Sequence, residues 1–156
     1  MELQPNRNIS ESVLHDRRSI KFLKSILPDN CVDCSQLQEG GTLPNIDGYL
    51  EILDENGIAR EKITVQVKHL TYPEKNGKVF YDIPESVYAY AKIHKGELVF
   101  FIACDYASRK FYWRNIDTAA IEEFKNKSDR IRTKARYYFK DNEKCGEKNV
   151  DATIDH

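Results

Sequence analysis

Hydrophobic positions follow helical spacing in some segments of the chain and strand spacing in others. Apolar residues recur every three to four positions over residues 10–27, which predicts a helix that ends before Pro28. Residues 46–53 and 63–70 alternate polar with apolar side chains, as strands with one buried face do. A continuous apolar run at 97–106 predicts a strand buried on both faces. The remaining predicted elements are a hairpin turn at Asn76-Gly77 with its returning strand 79–83, helix 84–95, strand 110–116 and helix 118–140, for which a break near 126–128 is the alternative to a continuous helix.

This order of elements predicts a single α/β domain over residues 1–141, built around a mixed central β-sheet flanked by helices. Residues 142–156 are polar and are predicted to form a C-terminal tail or linker. The longest uninterrupted apolar run falls far short of the roughly 20 residues that span a bilayer, and residues 1–7 are too polar for a secretory signal. We therefore expect a cytoplasmic protein without membrane contact.

Charge is distributed unevenly, although the chain carries 24 Lys and Arg against 25 Asp and Glu. Residues 125–140 hold seven basic side chains and one acid, so this segment can contact phosphates even though the whole chain is nearly neutral. The alternative is an ordinary solvated helix face. The predicted nucleic-acid-binding residues are Lys125, Lys127, Arg130, Arg132, Lys134 and Arg136.

Strand alternation predicts that a set of polar residues lies close together. Asp47 and Glu51 share one face of the strand at 46–53, and Gln66 and Lys68 share one face of the next strand. If the two strands pair, the four side chains can converge. Carboxylate and amide oxygens suit Mg²⁺, and an adjacent ammonium can hold the attacking water of phosphodiester hydrolysis.

The first predicted helix can add another acid. Spacing from Val13 and Ile20 puts Asp16 on the apolar stripe that faces the sheet. A carboxylate in that position is costly unless it is paired or bound to a metal. Asp16 is therefore either a further metal ligand or the partner of a nearby cation such as Lys68.

These segments resemble a known superfamily. Asp47-x₃-Glu51 followed by Val65-Gln66-Val67-Lys68 resembles the PD-(D/E)xK nucleases in their D…QxK form. Residues 15–20 and 45–52 extend the resemblance to one largely uncharacterised bacterial and archaeal domain family, found alone or at the N-terminus of defence proteins. The resemblance covers roughly residues 10–118 and implies a restriction-endonuclease-like fold.

The resemblance also implies roles for individual residues. Lys68 would orient the attacking water and stabilise the charge of the transition state. Asp16 stands where the family often has a helix Glu, and Glu51 matches a recurrent acid. The implied catalytic residues are Asp16, Asp47, Glu51, Gln66 and Lys68, and the implied ligands of Mg²⁺ (or Mn²⁺) are Asp16, Asp47, Gln66 and the main-chain carbonyl of Val67.

We therefore expect a Mg²⁺-dependent DNA endonuclease that acts in antiphage defence or restriction, alone or as part of a larger defence protein. A double-strand break needs two cuts, so a homodimer or higher oligomer is a candidate assembly.

Two departures from the family pattern support an alternative. Pro44 does not directly precede Asp47, and Gln66 is neutral where an acid is common. The alternative is an inactive nuclease-fold module that binds nucleic acid or a partner protein. In a third reading the motif is accidental, and Asp47 and Lys68 would then lie far apart or on opposite faces of the sheet.

Overall fold

The computed structural model describes residues 10–38, 46–72, 74–126 and 134–146. Helices, strands and two short 3₁₀ turns alternate along these segments. In chain order they are α1 (Glu11–Ile26), β1 (Val32–Asp33), β2 (Gly48–Leu53), β3 (Ala59–His69), β4 (Phe80–Pro84), α2 (Glu85–Ile93), β5 (Leu98–Asp105), a 3₁₀ turn (Tyr106–Ser108), β6 (Lys110–Asn115), α3 (Thr118–Lys125), β7 (Lys134–Tyr138), a second 3₁₀ turn (Asp141–Glu143) and β8 (Lys144–Gly146).

The helices begin at residues that satisfy their free N–H groups or need none. The Ser10 hydroxyl accepts from the Val13 N–H at 3.3 Å at the start of α1, and the Asp117 carboxylate accepts from the Ala120 N–H at 2.9 Å at the start of α3. Pro84 stands at the start of α2, where a missing N–H costs nothing. The predicted helices at 10–27 and 84–95 are confirmed.

Six strands form one mixed sheet in the order β1-β2-β3-β5-β6-β8. Among the described strands, the β3–β5 pair alone is parallel, and the chain crosses between these two strands through β4 and α2. The apolar run predicted at 97–106 is β5, in the interior of the sheet, and Phe101 and Cys104 on its opposite faces are both fully buried. The predicted α/β fold with a mixed central sheet is confirmed at that level.

Each face of the sheet covers its own hydrophobic cluster. On one face α1 packs Ile20 and Leu23 against Val65 and Val67 of β3. On the other face α2, α3 and the β4–β7 pair pack over Phe101 and its neighbours. Gln66 and Lys68 alternate with Val65 and Val67 along β3, so their side chains leave the strand on the second face.

The predicted helix at 118–140 is wrong beyond Lys125. Residues 127–133 lie outside the described residues, and Lys134–Tyr138 is the strand β7, paired antiparallel with β4 in a separate two-stranded sheet. Ala135 is buried whereas Lys134 and Arg136 are exposed, which is the two-residue period of a strand. Cross-strand packing here overrides the helix propensity of Lys, Ala and Arg.

The Asn76-Gly77 turn forms as predicted, but its hairpin partner differs. Both residues have positive φ, and Lys75 and Lys78 exchange main-chain hydrogen bonds of 2.9 and 3.0 Å across the turn. The returning strand β4 pairs with β7 rather than with β3. Both edges of β3 are already occupied, by β2 on one side and β5 on the other.

The chain after Asp141, expected to be a polar tail, instead continues into the fold as far as Gly146. Lys144–Gly146 is β8, which pairs with β6 at the edge of the main sheet, and Cys145 is fully buried. Residues 147–156 lie outside the described residues. Among the described helices, none is long and apolar enough to cross a membrane.

Candidate active site

The site begins at the junction of β2 and β3. These strands pair antiparallel with Gly48 opposite Val65, and the Asp47 N–H donates to the Val65 carbonyl at 2.9 Å. Asp47 directly precedes β2 and therefore lies beside the Val65–Val67 segment of β3. Gln66 and Lys68 leave β3 on one face, because they are two residues apart in the strand.

Gly48 makes the close approach behind Asp47 possible. Its φ is +136°, a region that favours glycine, and an added Cβ would collide with the main-chain oxygen of Gln36. The glycine therefore lets the loop around Gln36 lie directly against the start of β2. This packing holds Asp47 at the junction.

Asp47 is a half-buried carboxylate that the main chain of β3 fixes in place. Its Oδ2 accepts from the Val67 N–H at 2.7 Å. Burial raises the pKa of Asp47 above its ordinary value, while the Val67 N–H and the Lys68 charge oppose this effect and the Asp16 charge adds to it. A bound cation would offset the cost of keeping this carboxylate ionised.

Asp16 reaches the same site from α1. Its Oδ1 accepts from the His69 N–H at 2.9 Å, and its Oδ2 lies 3.3 Å from the Lys68 Nζ. The side chains of Lys68 and Asp16 are 31% and 29% exposed, so the pair is reachable from solvent and contributes little to stability. The ion pair weighed for Asp16 is therefore present, and it lies inside the predicted cluster.

Gln66 contributes a buried amide to the site. The residue is 5% exposed, and its Oε1 has no hydrogen-bond partner among the described residues. A buried acceptor without a partner costs about 1–3 kcal/mol. An oxygen ligand position for a cation is one chemical use for such an atom.

The structure brings Asp16, Asp47 and Lys68 close together. Gln66 directly precedes Val67, whose N–H contacts the Asp47 carboxylate, whereas Glu51 lies apart. Glu51 pairs with Lys62 across the β2–β3 ladder, roughly 13 Å along the strand from Asp47. The Val67 side chain lies in the core, and its main chain runs between Gln66 and Lys68.

Sequence reasoning missed two histidines beside the cluster. The rings of His15 and His69 stack with centroids 4.3 Å apart, and the His15 Nδ1 lies 2.6 Å from the Tyr106 hydroxyl. Burial lowers the pKa of His69, and the neighbouring His15 lowers it further. One signal could have found them: His15 directly precedes Asp16, and His69 directly follows Lys68.

Asp47 also lines an open cleft of about 340 Å³. The cleft extends along β2 and β3, with Gln38 and Thr64 in its wall and Tyr49 and Tyr90 as its rings. The Thr64 hydroxyl donates to Glu97 at 3.0 Å within this wall. A polymer strand bound in the cleft would pass the Asp47 carboxylate.

Those of the predicted basic residues that the structure describes lie on two different elements rather than on one helix. Lys125 ends α3 and lies 3.5 Å from Glu122, whereas Lys127, Arg130 and Arg132 lie outside the described residues. Lys134 and Arg136 belong to the strand β7. Arg136 donates to both oxygens of Asp82, at 2.9 and 3.3 Å.

Within the described ranges, no three His, Cys, Asp or Glu side chains form a group that could hold a metal ion. A cation bound here would therefore need the Gln66 amide oxygen or main-chain carbonyls besides the carboxylates of Asp47 and Asp16. No protein-family model, no curated protein and no solved structure matches the chain.

Proposed function

We propose that the chain is a metal-dependent nuclease with a restriction-endonuclease-like fold that hydrolyses DNA phosphodiester bonds, as an effector of antiphage defence or restriction. One observation carries the proposal. Gln66, whose buried Oε1 has no partner among the described residues, directly precedes Val67, whose N–H holds the Asp47 carboxylate, and Asp16 contacts Lys68 from α1. The resemblance of the D…QxK segments to PD-(D/E)xK nucleases supports the same reading.

Four groups would hold Mg²⁺ or Mn²⁺: the carboxylates of Asp47 and Asp16, the Gln66 Oε1 and the Val67 carbonyl. All are oxygen donors, as hard divalent cations require. The side-chain charges sum to −1 when Lys68 is included, which favours a cation. When bound, the metal would lower the pKa of a water and offset the negative charge that develops on the phosphate.

Lys68 has the position and chemistry to meet the substrate. Its ammonium carries three N–H donors, and the single contact to Asp16 uses one of them. The remaining donors can reach a phosphate oxygen or the attacking water, since the side chain is 31% exposed. Asp16, besides serving as a metal ligand, would hold Lys68 at the end of β3.

Plasmid nicking tests the proposal. Supercoiled DNA incubated with the purified chain in Mg²⁺ or Mn²⁺ should be converted to nicked and linear forms, and EDTA should stop the reaction. Asp47→Asn and Lys68→Gln should each lower the rate about 100-fold or more, in line with the loss of an electrostatic group at a reacting phosphate.

A matched control separates site effects from charge effects. Asp29→Asn removes one exposed carboxylate remote from the candidate active site and should keep the wild-type rate. Cleavage that survives both Asp47→Asn and Lys68→Gln would rule out this site.

The inactive nuclease-fold module remains the second candidate. The Asp16–Lys68 ion pair favours it, because it neutralises one of the two carboxylates without a metal. Isothermal titration with Mn²⁺ distinguishes the two candidates. A nuclease should give binding heat that Asp47→Asn abolishes, whereas the inactive module should give none.

A further inference from the structure

The outward face of the β4–β7 ribbon carries rings and cations that the proposed active site does not use. In the ladder, Phe80 pairs with Tyr138 and Asp82 pairs with Arg136, while Ile83 and Ala135 are buried beneath them. Tyr72 packs on Phe80 from the preceding loop. We call the outward side chains the ribbon face: Tyr72, Phe80, Lys134, Arg136, Tyr138 and Lys140.

Three aromatic rings lie in a row on the ribbon face. The Tyr72 and Phe80 rings stack with centroids 5.4 Å apart at 23°, and the Phe80 and Tyr138 rings follow at 5.7 Å. Tyr72 is 56% exposed and Tyr138 is 52% exposed. Neither outer ring is buried in a core, so both present a π-face or edge to solvent.

Cations flank this row. Lys134 and Arg136 are exposed two residues apart on β7, roughly 6.6 Å along the strand, and the exposed Lys140 lies two residues beyond its end. The Arg136 guanidinium lies 4.0 Å from the centre of the Phe80 ring and is held there by Asp82. On the two strands, Asp82 is the single acid of this face. The surface is therefore complementary to a polyanion.

We infer that the ribbon face binds an unpaired nucleic-acid strand, with bases stacked on Tyr72 and Tyr138 and the phosphates along Lys134, Arg136 and Lys140. Aromatic rings stack on any base but reach only bases that are not already stacked in a duplex. The inference rests on the proposed nuclease function for the class of ligand, and it narrows the substrate to one with a single-stranded segment.

The ribbon also adjoins the candidate active site. Tyr81, on the inner side of β4, packs at 5.0 Å on the ring of Phe101, and Phe101 is paired with Gln66 in the main sheet. A nucleic acid held on the ribbon face would thus be bound to the β4–β7 pair, which packs over the β-strands that carry the candidate active site.

Fluorescence anisotropy with a labelled oligothymidine tests the inference, in EDTA so that no cleavage occurs. The wild-type chain should bind the single strand more tightly than a duplex of equal length. Tyr138→Ala and Tyr72→Ala should each weaken binding about tenfold, while Tyr138→Phe should bind like wild type. Replacing Lys134 and Lys140 by Gln should reduce the slope of log affinity against log salt by about 1.4, at about 0.7 per phosphate contact.

Ile93→Ala is the matched control, since Ile93 is 76% exposed on α2 and its loss should leave affinity unchanged. Circular dichroism and an unfolding midpoint should show each variant folded. Unchanged affinity in both tyrosine variants would overturn the inference. Failure of the wild-type chain to bind the oligonucleotide at low salt would also overturn it and would leave a protein as the partner of this face. Tyrosine-dependent binding without any metal-dependent cleavage would support the inference and contradict the proposed nuclease.

Discussion

Gln66→Met is the substitution whose effect on stability most directly tests the candidate active site. Methionine has the length and unbranched shape of glutamine but no amide, so it fills the same space with little strain. It removes the buried Oε1 that has no hydrogen-bond partner among the described residues. In the absence of metal we therefore expect the variant to be more stable than the wild-type chain.

The magnitude follows from the cost of an unsatisfied buried acceptor. That cost is about 1–3 kcal/mol, and an imperfect fit of the thioether reduces the gain. We expect the free energy of unfolding in EDTA to rise by about 1 kcal/mol or more. For a chain of this length, 1 kcal/mol corresponds to roughly 2–4 °C in the unfolding midpoint.

Bound metal should make the wild-type chain more stable than the Gln66→Met variant. A ligand that binds only the folded state at about 100 times its Kd adds about 2.7 kcal/mol. Excess Mn²⁺ should stabilise the wild-type chain by an amount of that order, and Gln66→Met by much less. Urea unfolding with and without Mn²⁺ measures both effects on the same samples.

Thr64→Val provides the matched control on the same strand and face. Thr64 is 4% exposed, like Gln66, but its hydroxyl donates to Glu97 at 3.0 Å. Its removal should therefore destabilise the chain by about 1 kcal/mol in either condition. If Gln66→Met destabilised the chain in EDTA as much as Thr64→Val does, the Gln66 amide would be satisfied and the reasoning would be refuted.

Two further predictions concern the scaffold and the histidine pair. Gly48→Ala should lower the free energy of unfolding by at least about 2 kcal/mol in urea titration, because alanine is strained at this positive φ and its Cβ would collide with the Gln36 oxygen. A loss below about 0.5 kcal/mol would contradict the close approach. Folding lowers the pKa of His69, so the unfolded chain takes up a proton near its ordinary pKa of about 6.5 before the folded chain does. The free energy of unfolding should therefore fall as pH drops below about 6.5. The substitution His69→Phe should make that fall less steep. An unchanged pH profile in the variant would count against the burial of His69.

Sequence periodicity was sufficient to predict many of the helices and strands. The helix α1 and the strands β2, β3, β5 and β6 each bury one face or both, so their hydrophobic spacing reports their conformation. The same alternation predicted that Asp47 would lie near Gln66 and Lys68. Its contact with the Val67 N–H is possible because β2 and β3 are consecutive strands joined by a short Asp54–Gly57 turn.

The misjudged elements depend on contacts between distant parts of the chain. β7 is a five-residue strand of helix-compatible residues, and its partner β4 lies about 50 positions earlier. β8 has three residues and is recruited by the edge of β6. In both cases pairing with another strand decides the conformation, and local propensity does not encode that partner.

The finer features of the site were also beyond sequence reasoning. The register of β2 on β3 determines that Glu51 lies opposite Lys62 and away from Asp47. The stacking of His15 on His69 needs the crossing of α1 over the end of β3. Burial of Gln66 without a partner for Oε1 depends on the packing around β3.

The central claim is that Asp47, Gln66 and Lys68 form a metal-dependent phosphodiesterase site. Its most direct test is the rate of plasmid nicking in Mn²⁺ by the wild-type chain beside Asp47→Asn, with Asp29→Asn as control. The account predicts nicking by the wild-type and control chains, no nicking in EDTA, and at least about a 100-fold loss in Asp47→Asn. Absence of nicking by the wild-type chain in both Mg²⁺ and Mn²⁺, or equal nicking by Asp47→Asn, would contradict it.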